Sequence, residues 1–245
     1  MSLNPKISII TVVLNSEKFL EETIKSVLDQ NYNNLEYIII DGGSTDKSLS
    51  IIEKYKEKIN FFLSEKDNGI YDAFNKGLAK ATGDIIGILN SDDIYTKDAF
   101  KIILKYFNQH PEKDFYFGAV KKHYATLYGY KPWKVKFSWG FYSSHSSGFF
   151  IKKKAAEIVG SYNTKYKCSA DYDYFYRMIV KNKLSGIGTK ENEVTGIFRR
   201  GGHSSRFTFL ERTLEELQIR KDNGQSKLWL IAIVILKLIY NYKKI

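Results

Sequence analysis

The sequence predicts an α/β fold in which a mostly parallel sheet carries helices on both faces. Three observations lead to this prediction. Short β-branched apolar runs alternate with segments of helical periodicity through the first 120 residues. Small or polar turn residues follow most of these runs. Parallel strands need long crossovers, and repeated right-handed crossovers place helices on both faces of a sheet.

The first half of the chain contains four strand–helix units. Ser16 and Asp46 are candidate caps for the first two helices, because each precedes a run of helical spacing. Gly83 and the His110-Pro111 pair follow the last two helices. We predict strands over 7–14, 35–40, 61–63 and 85–89, and helices over 16–30, 47–58, 71–80 and 97–108.

The second half is less regular. Short aromatic strands surround helices predicted over 152–159 and 171–181, and two further helices follow over 208–221 and 227–241. No proline-rich linker precedes this part, so we expect its strands to extend the same sheet and its loops to cover the ligand crevice. The predicted organisation is one domain over 1–206 and a C-terminal helical extension over 207–245.

Composition excludes several classes of protein. A chain of 245 residues suits one such domain with an appendage. The single cysteine, Cys168, excludes an internal disulfide and a cysteine-rich zinc site. The first residues lack a signal-peptide pattern, and no run reaches the ~18 apolar residues of a membrane span. We therefore expect a cytoplasmic protein.

The net charge of +11 is unevenly distributed. Residues 1–120 hold 14 Lys/Arg and 18 Asp/Glu, a balance of −4, whereas residues 121–245 hold 24 and 9, a balance of +15. Such a basic half suits an anionic membrane surface, a nucleic acid or a solvated lysine-rich face. No nucleic-acid-binding motif accompanies the charge, so we expect no nucleic-acid partner.

The apolar run 228–236 is too short to span a bilayer. Lysines flank it on both sides, and Trp229 lies near its start. This pattern is typical of a helix that lies in the membrane interface. The alternatives are packing on its own domain and packing on a homodimer partner.

Polar residues occupy the predicted strand ends, where open parallel sheets bind their ligands. They are Asn15, Asp41, Asp67 and the group 90–93. A crevice with these residues suits polar groups and a cation. Neither G-x-G-x-x-G nor a P-loop follows any predicted strand, which excludes the two common phosphate-binding motifs.

Five segments in a fixed order resemble a known family. They are SIITVVLN at 8–15, IDGGSTD at 40–46, DNGIYDAFNKG at 67–77, LNSDD at 89–93 and ADYD at 170–173. In this order and spacing they resemble the family 2 glycosyltransferases of the GT-A fold over roughly residues 6–203, and the third segment is similar to that of enzymes that build bacterial surface polysaccharides. The resemblance implies a Rossmann-like sheet that binds a nucleotide-sugar.

The resemblance implies that the first half binds the nucleotide. Asp41 also suits this role by chemistry, because a carboxylate accepts a hydrogen bond from the imide N–H of uracil. A turn or helix cap is the alternative for Asp41, and capping of the next helix is the alternative for Asp67 and Asp72. The implied nucleotide-binding residues are Thr11, Val13, Asn15, Asp41, Asp67, Asp72, Asn90 and Ser91.

Asn90-Ser91-Asp92 occupies the D-x-D position of the family, which implies a divalent metal cofactor, Mg²⁺ or Mn²⁺. Such an ion neutralises the diphosphate leaving group. Asp92 keeps the anionic oxygen that a metal needs, while Asn90 replaces the usual first aspartate. An amide still bonds ribose hydroxyls, so weaker or partly dispensable metal binding is the expected consequence.

The second half supplies the implied catalytic and acceptor-side residues. Asp171 matches the position of the general base, although Ala170 replaces the acid that commonly precedes it. His145 matches an acceptor-side loop. A basic segment with Arg199, Arg200 and His203 suits the diphosphate, and solvated charge is its alternative.

The resemblance thus implies an inverting glycosyltransferase that moves a sugar from a nucleotide donor, expected to be a UDP-sugar, to a hydroxyl of a surface glycan or lipid-linked acceptor. The cytoplasmic face of the membrane is the expected place of work. The alternative is a non-catalytic nucleotide-sugar or glycan-binding subunit of the same fold, in which Asn90 and Ala170 would mark lost activity.

Overall fold

The computed structural model describes residues 4–122, 125–137, 146–199, 202 and 206–240. Its first half follows the predicted alternation of strands and helices. These elements are β1 (Ile7–Val13), α1 (Leu20–Leu28), β2 (Leu35–Asp41), α2 (Ser48–Glu53), β3 (Phe61–Ser64), α3 (Ile70–Lys80), β4 (Ile85–Asn90), β5 (Ile94–Tyr95) and α4 (Ala99–Gln109).

The second half has shorter elements. A π-helical stretch, Arg177–Lys181, continues the helix that ends at Tyr176. The elements are β6 (Phe115–Phe117), β7 (Ala119–Lys122), β8 (Ala125–Leu127), α5 (Trp133–Phe137), β9 (Phe149–Lys152), α6 (Lys153–Val159), α7 (Ala170–Tyr176), β10 (Gly186–Gly188), β11 (Val194–Phe198), α8 (Phe209–Asp222) and α9 (Lys227–Tyr240).

The main sheet has seven strands in the order β10-β6-β9-β4-β1-β2-β3. The pairs that β1 forms with β2 and β4 are parallel, as are β2–β3 and β6–β10. Strand β9 runs antiparallel to both of its neighbours. The mostly parallel sheet flanked by helices confirms the predicted fold class.

Buried side chains of β1 alternate between two core layers. Ile7, Ile9 and Val13 contribute to the layer that α1, α2 and α4 cover. Ile10 and Val12 contribute to the layer that α3, α6 and α7 cover. Burial on both faces explains why the strand is apolar at nearly every position.

The expectation that the second-half strands extend the sheet is right for β6, β9 and β10 and wrong for the others. Strands β7, β8 and β11 join β5 in a separate four-stranded sheet, ordered β5-β11-β7-β8. The central pair of this sheet, β11 with β7, joins segments more than 70 residues apart. The pattern of apolar residues within one strand does not indicate which distant strand it pairs with.

The first helix begins later than predicted. Helix α1 starts at Leu20, and its N-cap residue, Phe19, makes no side-chain capping bond. The hydroxyl of Ser16 instead lies 2.6 Å from the hydroxyl of Ser91. The N-cap residue of α2 is Lys47, and Asp46 lies one residue before it. Asp46 still contacts the start of the helix, because its Oδ1 accepts from the backbone N–H of Ser48 at 2.9 Å.

The two C-terminal helices form as predicted. Helix α8 begins with a capping box between Thr208 and Glu211, and it buries Ile219 and Arg220. The guanidinium of Arg220 lies over the ring of Tyr172 in α7. Helix α8 thus packs on the sheet domain, while the boundary at 206/207 stays a prediction. In the described part of the chain, no helix combines the length and apolarity that crossing a membrane requires.

A buried carboxylate joins the start of the sheet to the turn before β4. Glu36 accepts hydrogen bonds from the ammonium of Lys6, the hydroxyl of Ser8, and the backbone N–H and hydroxyl of Thr82. Burial alone would raise the pKa of Glu36, but these hydrogen bonds outweigh burial and lower the pKa to about 2. The carboxylate is therefore ionised across the ordinary pH range.

We expect Glu36→Gln to lower the free energy of unfolding by about 2 kcal/mol at pH 7, because an amide nitrogen cannot accept these hydrogen bonds. The native pKa is lowered, so the stabilisation is complete above the ordinary value of 4.5 and is lost as pH falls toward 2. Urea denaturation at pH 7 and pH 3 measures the difference in the free energy of unfolding between the variant and the wild type. The exposed Glu157→Gln is the control, and a wild-type advantage equally large at both pH values would contradict the prediction.

Candidate active site

A cleft of about 580 Å³ opens beyond the carboxyl ends of β1 and β4. The first turns of α3 and α7 form its walls, and β11 and α8 contribute further side chains. The structure brings seven of the predicted site residues together here. They are Val13, Asn15, Asp67, Asn90, Ser91, Asp92 and Asp171.

The turn after β1 is held in an unusual conformation. Asn15 has a φ of 49°, in the left-handed region that asparagine tolerates better than most residues. Its backbone N–H donates to the hydroxyl of Ser44, and its Oδ1 accepts from the N–H of Thr45 at 2.8 Å. These bonds tie the end of β1 to the turn after β2.

Asp67 reaches the cleft because Gly42 leaves room for it. A Cβ at residue 42 would lie 2.3 Å from Oδ2 of Asp67. The other oxygen, Oδ1, accepts from the N–H of Gly69, the N-cap residue of α3. Asp67 therefore acts in the turn before α3, as the capping alternative proposed, and also lines the cleft.

Asp41 is fully buried and does not line the cleft. Its Oδ2 accepts from the N–H groups of Gly43 and Ser44 at 3.1 and 3.0 Å and from the hydroxyl of Ser64 at 2.7 Å. Its Oδ1 accepts from the hydroxyl of Ser44. The structure shows the turn that sequence analysis gave as the alternative, and base binding by Asp41 stays a prediction.

Thr11 and Asp72 also lie outside the lining of the cleft. The hydroxyl of Thr11 accepts from the Tyr37 hydroxyl within the core. Asp72 accepts from the N–H of Asn68 and pairs with Lys76 one turn along α3, at 3.3 Å. Their observed contacts are structural, and nucleotide binding by either residue stays a prediction.

Asn90 and Asp92 form the part of the cleft whose donor set suits a cation. Oδ1 of Asn90 is buried without a hydrogen-bond partner among the described residues, while its Nδ2 donates to Ser146 at 3.1 Å. A Cβ at Gly202 would lie 2.5 Å from Oδ2 of Asp92, so glycine lets the chain pass this carboxylate. Oxygen ligands of this kind suit a hard divalent ion.

Within the described ranges, no group of three or more His, Cys, Asp and Glu residues is arranged to hold a metal. Mg²⁺ commonly binds through one or two carboxylates and takes substrate phosphates as further ligands. The residues at this end of the cleft fit an ion that arrives with a diphosphate. They do not form a closed metal site of their own.

Asp171 lies in the first turn of α7. Its Oδ1 accepts from the N–H of Tyr172 at 2.9 Å and, at a longer 3.5 Å, from the hydroxyl of Tyr71. Burial, followed by the charge of Asp171, holds the pKa of Tyr71 well above its usual value. The Tyr71 hydroxyl therefore stays protonated and can donate to the carboxylate.

Asp173, two residues along α7, has a different environment. Its Oδ2 accepts from Nε of Arg177 at 2.8 Å, and its Oδ1 accepts from Nδ2 of Asn223 at 2.8 Å. Asp173 and Arg177 thus form an ion pair at i, i+4 spacing along the helix. Asp173 does not line the cleft.

The predicted basic segment is described only in part. The guanidinium of Arg199 pairs with Glu22 and lies over the ring of Phe19. The backbone N–H of Arg199 donates to Oδ1 of Asp93 at 3.1 Å. Arg199 does not line the cleft, so the structure does not place it toward a diphosphate. His145, Arg200 and His203 lie outside the described residues.

Sequence analysis missed several residues of the cleft. Tyr71 stands inside the DNGIYDAFNKG segment, so its position in the motif was an available signal. Cys168, Arg206 and Glu216 carried no signal, because they lie in segments of mixed polarity without a motif. They reach the cleft through the packing of α8 beside α7.

The α/β sheet and its cleft define the class of fold, and comparison with known proteins identifies the family. Residues 8–175 match the family model of glycosyl transferase family 2. The match covers more than half of the chain, so the protein belongs to glycosyl transferase family 2. This confirms the family that the five motifs indicated.

Curated relatives have related names. An uncharacterized glycosyltransferase of Haemophilus influenzae is 43% identical over 108 residues, 43% of each chain. One from Mycobacterium tuberculosis is 38% identical over 97 residues, 39% of this chain and 37% of the relative. A PGL/p-HBAD biosynthesis glycosyltransferase of M. tuberculosis is 27% identical over 187 residues, 71% of this chain and 69% of the relative. The match thus spans about two fifths of the first two relatives.

Solved structures share the fold. S. aureus TarS residues 1–349 in complex with UDP-GlcNAc superposes with a TM-score of 0.73 at 19% identity, covering 96% of this chain and 73% of that one. The mannosyltransferase PcManGT from Pyrobaculum calidifontis, in complex with GDP-Man and Mn²⁺, superposes with a TM-score of 0.67 at 19% identity, covering 91% and 65%. At these identities the likeness shows the fold alone.

Proposed function

We propose that the protein transfers a sugar, with inversion, from a UDP-sugar to a hydroxyl of a surface-glycan or lipid-linked acceptor. One observation carries the proposal. The carboxylate of Asp171 shares a cleft with Asn90 and Asp92, although about 80 residues separate them in the chain. A base at one wall and a cation-binding group at another suit displacement at a sugar carbon between them.

The end of β1 and the turns after β1 and β3 form the proposed nucleotide end of the cleft. Val13, Asn15 and Asp67 offer an apolar surface, an amide and a carboxylate to a base and ribose. TarS with UDP-GlcNAc supports a uridine nucleotide, whereas PcManGT with GDP-Man makes a guanosine nucleotide the competing donor in the test.

Asp92 would hold Mg²⁺ or Mn²⁺, with Asn90 beside it. When bound, the ion would neutralise charge that develops on the departing diphosphate. The structure of PcManGT with Mn²⁺ supports this choice of metal. Ser91 joins this end of the cleft to the turn after β1, through its contact with Ser16.

Asp171 would act as the general base. It would take the proton of the acceptor hydroxyl while that oxygen bonds to the anomeric carbon and the carbon–oxygen bond to the diphosphate breaks. A single attack from the side opposite the leaving group inverts the configuration. The buried hydroxyl of Tyr71 would donate to Oδ1 of Asp171 and help to orient the carboxylate.

We expect Asp92→Ala to abolish the part of UDP binding that depends on metal. Without this carboxylate, the ion loses its anionic protein ligand and the diphosphate loses its counter-charge. Isothermal calorimetry with UDP, in Mn²⁺ and in EDTA, measures both affinities. Asp98→Asn, outside the cleft lining, is the control. Mn²⁺-enhanced affinity that survives in Asp92→Ala would contradict the metal role.

We expect Asp171→Asn to retain UDP affinity while turnover falls by a factor on the order of 10²–10⁴, the usual contribution of a positioned base. The amide keeps the oxygen that accepts from Tyr172 but cannot take a proton. The assay is release of nucleoside diphosphate from a panel of UDP- and GDP-sugars with Mn²⁺.

Asp173→Asn is the matched control on the same helix. It loses a buried ion pair with Arg177, so we expect a lower melting temperature and unchanged turnover. The opposite pattern, with Asp171→Asn less stable but fully active, would assign Asp171 to capping alone. The proposed base would then be wrong.

The competing hypothesis is a non-catalytic nucleotide-sugar-binding subunit. Asn90 and Ala170, at positions where the family commonly has acids, favour it. Binding of UDP-sugars with no diphosphate release from any donor, in the presence of glycan acceptors, would select this alternative. Release that depends on Asp171 excludes it.

Helix α9 supports a peripheral contact with an anionic membrane. It contains no Asp or Glu, it begins at the exposed Lys227, and its outward face is a continuous apolar stripe. The basic balance of the second half complements anionic headgroups. The exposed apolar residues of this face are Leu228, Trp229, Ile231, Ile235, Leu236 and Ile239.

We expect replacing Leu228, Ile231 and Ile235 with Gln to weaken binding to phosphatidylglycerol vesicles by at least about tenfold, because apolar contact adds to lysine attraction. Vesicle sedimentation measures binding, and phosphatidylcholine vesicles test the charge. The same change at Leu49, Phe62 and Ile158, exposed apolar residues elsewhere, is the control. A wild-type dimer that the α9 variant dissociates, without vesicle binding, would contradict the membrane role.

A further inference from the structure

Glu215, on α8, accepts three hydrogen bonds from two consecutive residues just ahead of α7. Its Oε1 accepts from the backbone N–H of Lys167 at 2.6 Å. Its Oε2 accepts from the N–H of Cys168 at 2.9 Å and from the Cys168 thiol at 2.8 Å. Hydrogen bonds from N–H groups to a carboxylate are among the strong ones. The carboxylate therefore fixes the backbone of residues 167–168 from a helix nearly 50 residues further along the chain.

Helix α7 lacks a cap of its own. Ser169 is its N-cap residue, and the Ser169 side chain makes no capping bond. The hydroxyl of Ser169 instead lies 3.3 Å from the thiol of Cys168. Because local capping does not set the first turn of α7, the preceding segment determines where that turn, and Asp171 within it, lies.

Cys168 acts here as a hydrogen-bond donor. Burial, followed by the hydrogen bond to Glu215, raises the pKa of its thiol to about 12. The thiol therefore stays protonated and donates a hydrogen bond to Oε2 of Glu215. This gives the single cysteine of the chain a structural role without nucleophilic or redox chemistry.

The segment that Glu215 holds leads directly into the wall of the cleft. Cys168, Ser169 and Asp171 all line it. We infer that Glu215 is a positioning residue that sets the Asp171 carboxylate against the acceptor hydroxyl through the backbone of residues 167–168. The inference rests on the proposed role of Asp171 as general base.

Helix α8 offers a matched control on the same segment. Asp222 accepts from the ammonium of Lys165 and the hydroxyl of Tyr166, both at 2.7 Å. Asp222 thus ties α8 to the side chains of residues 165–166, whereas Glu215 ties it to the backbone of residues 167–168. Loss of either carboxylate weakens the packing of α8, and only loss of Glu215 loosens the turn that carries Asp171.

The test compares Glu215→Gln with Asp222→Asn in UDP release from UDP-GlcNAc with Mn²⁺ and water as acceptor. We expect Glu215→Gln to lower kcat by on the order of 10- to 100-fold, since a misplaced group near the chemistry loses rate on this scale. Its KM for UDP-GlcNAc should stay within about twofold, because the nucleotide end is untouched. Asp222→Asn should lower the melting temperature and keep kcat.

A double-mutant cycle separates positioning from general stability. If Glu215 acts through Asp171, the Asp171→Asn, Glu215→Gln double variant is no slower than Asp171→Asn alone. Rate losses that multiply, or a kcat of Glu215→Gln equal to the wild-type value, would overturn the inference. An Asp171→Asn variant with wild-type turnover would instead overturn the proposed base itself.

Hydrogen exchange gives a readout without turnover. The amides of Lys167 and Cys168 should exchange faster in Glu215→Gln and stay protected in Asp222→Asn. Unchanged protection in Glu215→Gln would overturn the inference. If Glu215→Gln does not fold, Cys168→Ala serves as the second variant, because it removes one of the three hydrogen bonds to Glu215. We expect Cys168→Ala to lower kcat by about threefold in the wild-type background and not to lower it further in the Asp171→Asn background. An equal loss of kcat in both backgrounds would overturn the inference.

Discussion

The parallel pairing of β1 with β2 on one side and β4 on the other is the interaction on which the site depends. In this register Val13 lies opposite Asp41, and Val12 lies opposite Asn90. The turns that follow the three strands therefore all lie at the carboxyl-terminal end of the sheet. A slip of one residue would exchange the two core layers of β1 and remove the buried hydrogen bonds of Ser8 and Thr11 with Glu36 and Tyr37 on β2. Strand β1 thus determines the geometry of the cleft without supplying its charged groups.

Sequence analysis predicts the elements of the first half of the molecule because each of them depends on residues that are close together in the chain. Each strand–helix unit has its own periodicity, and polar residues such as Asn15 and Asn90, which follow predicted strands, line the cleft. It could not decide between the two roles of Asp41, because one partner, Ser64, lies on β3, 23 residues away. Nor could it predict the second sheet, since the pairing of β11 with β7 depends on tertiary packing.

Helix α8 shows a different reason for the limits of sequence reasoning. Its charged residues are spread around the helix, a pattern typical of a solvated surface segment. In the structure, Glu216 lines the cleft and pairs with the buried Lys237 of α9, while Glu215 holds the segment ahead of α7. Burial gives these charges specific partners that periodicity does not reveal. Helix α8 therefore contributes to the wall of the cleft.

Charge balance links the unusual Asn90 to the proposed chemistry. The described lining of the cleft includes the carboxylates of Asp67, Asp92 and Asp171, and its cations include Lys18 and Arg206. A diphosphate placed near Asp92 is repelled unless a cation lies between them, which is the physical reason to propose a metal there. An aspartate at position 90 would add a further negative charge. The neutral amide avoids that repulsion, so under the proposed function this cleft would need less positive charge to hold a nucleotide-sugar than one with two acids.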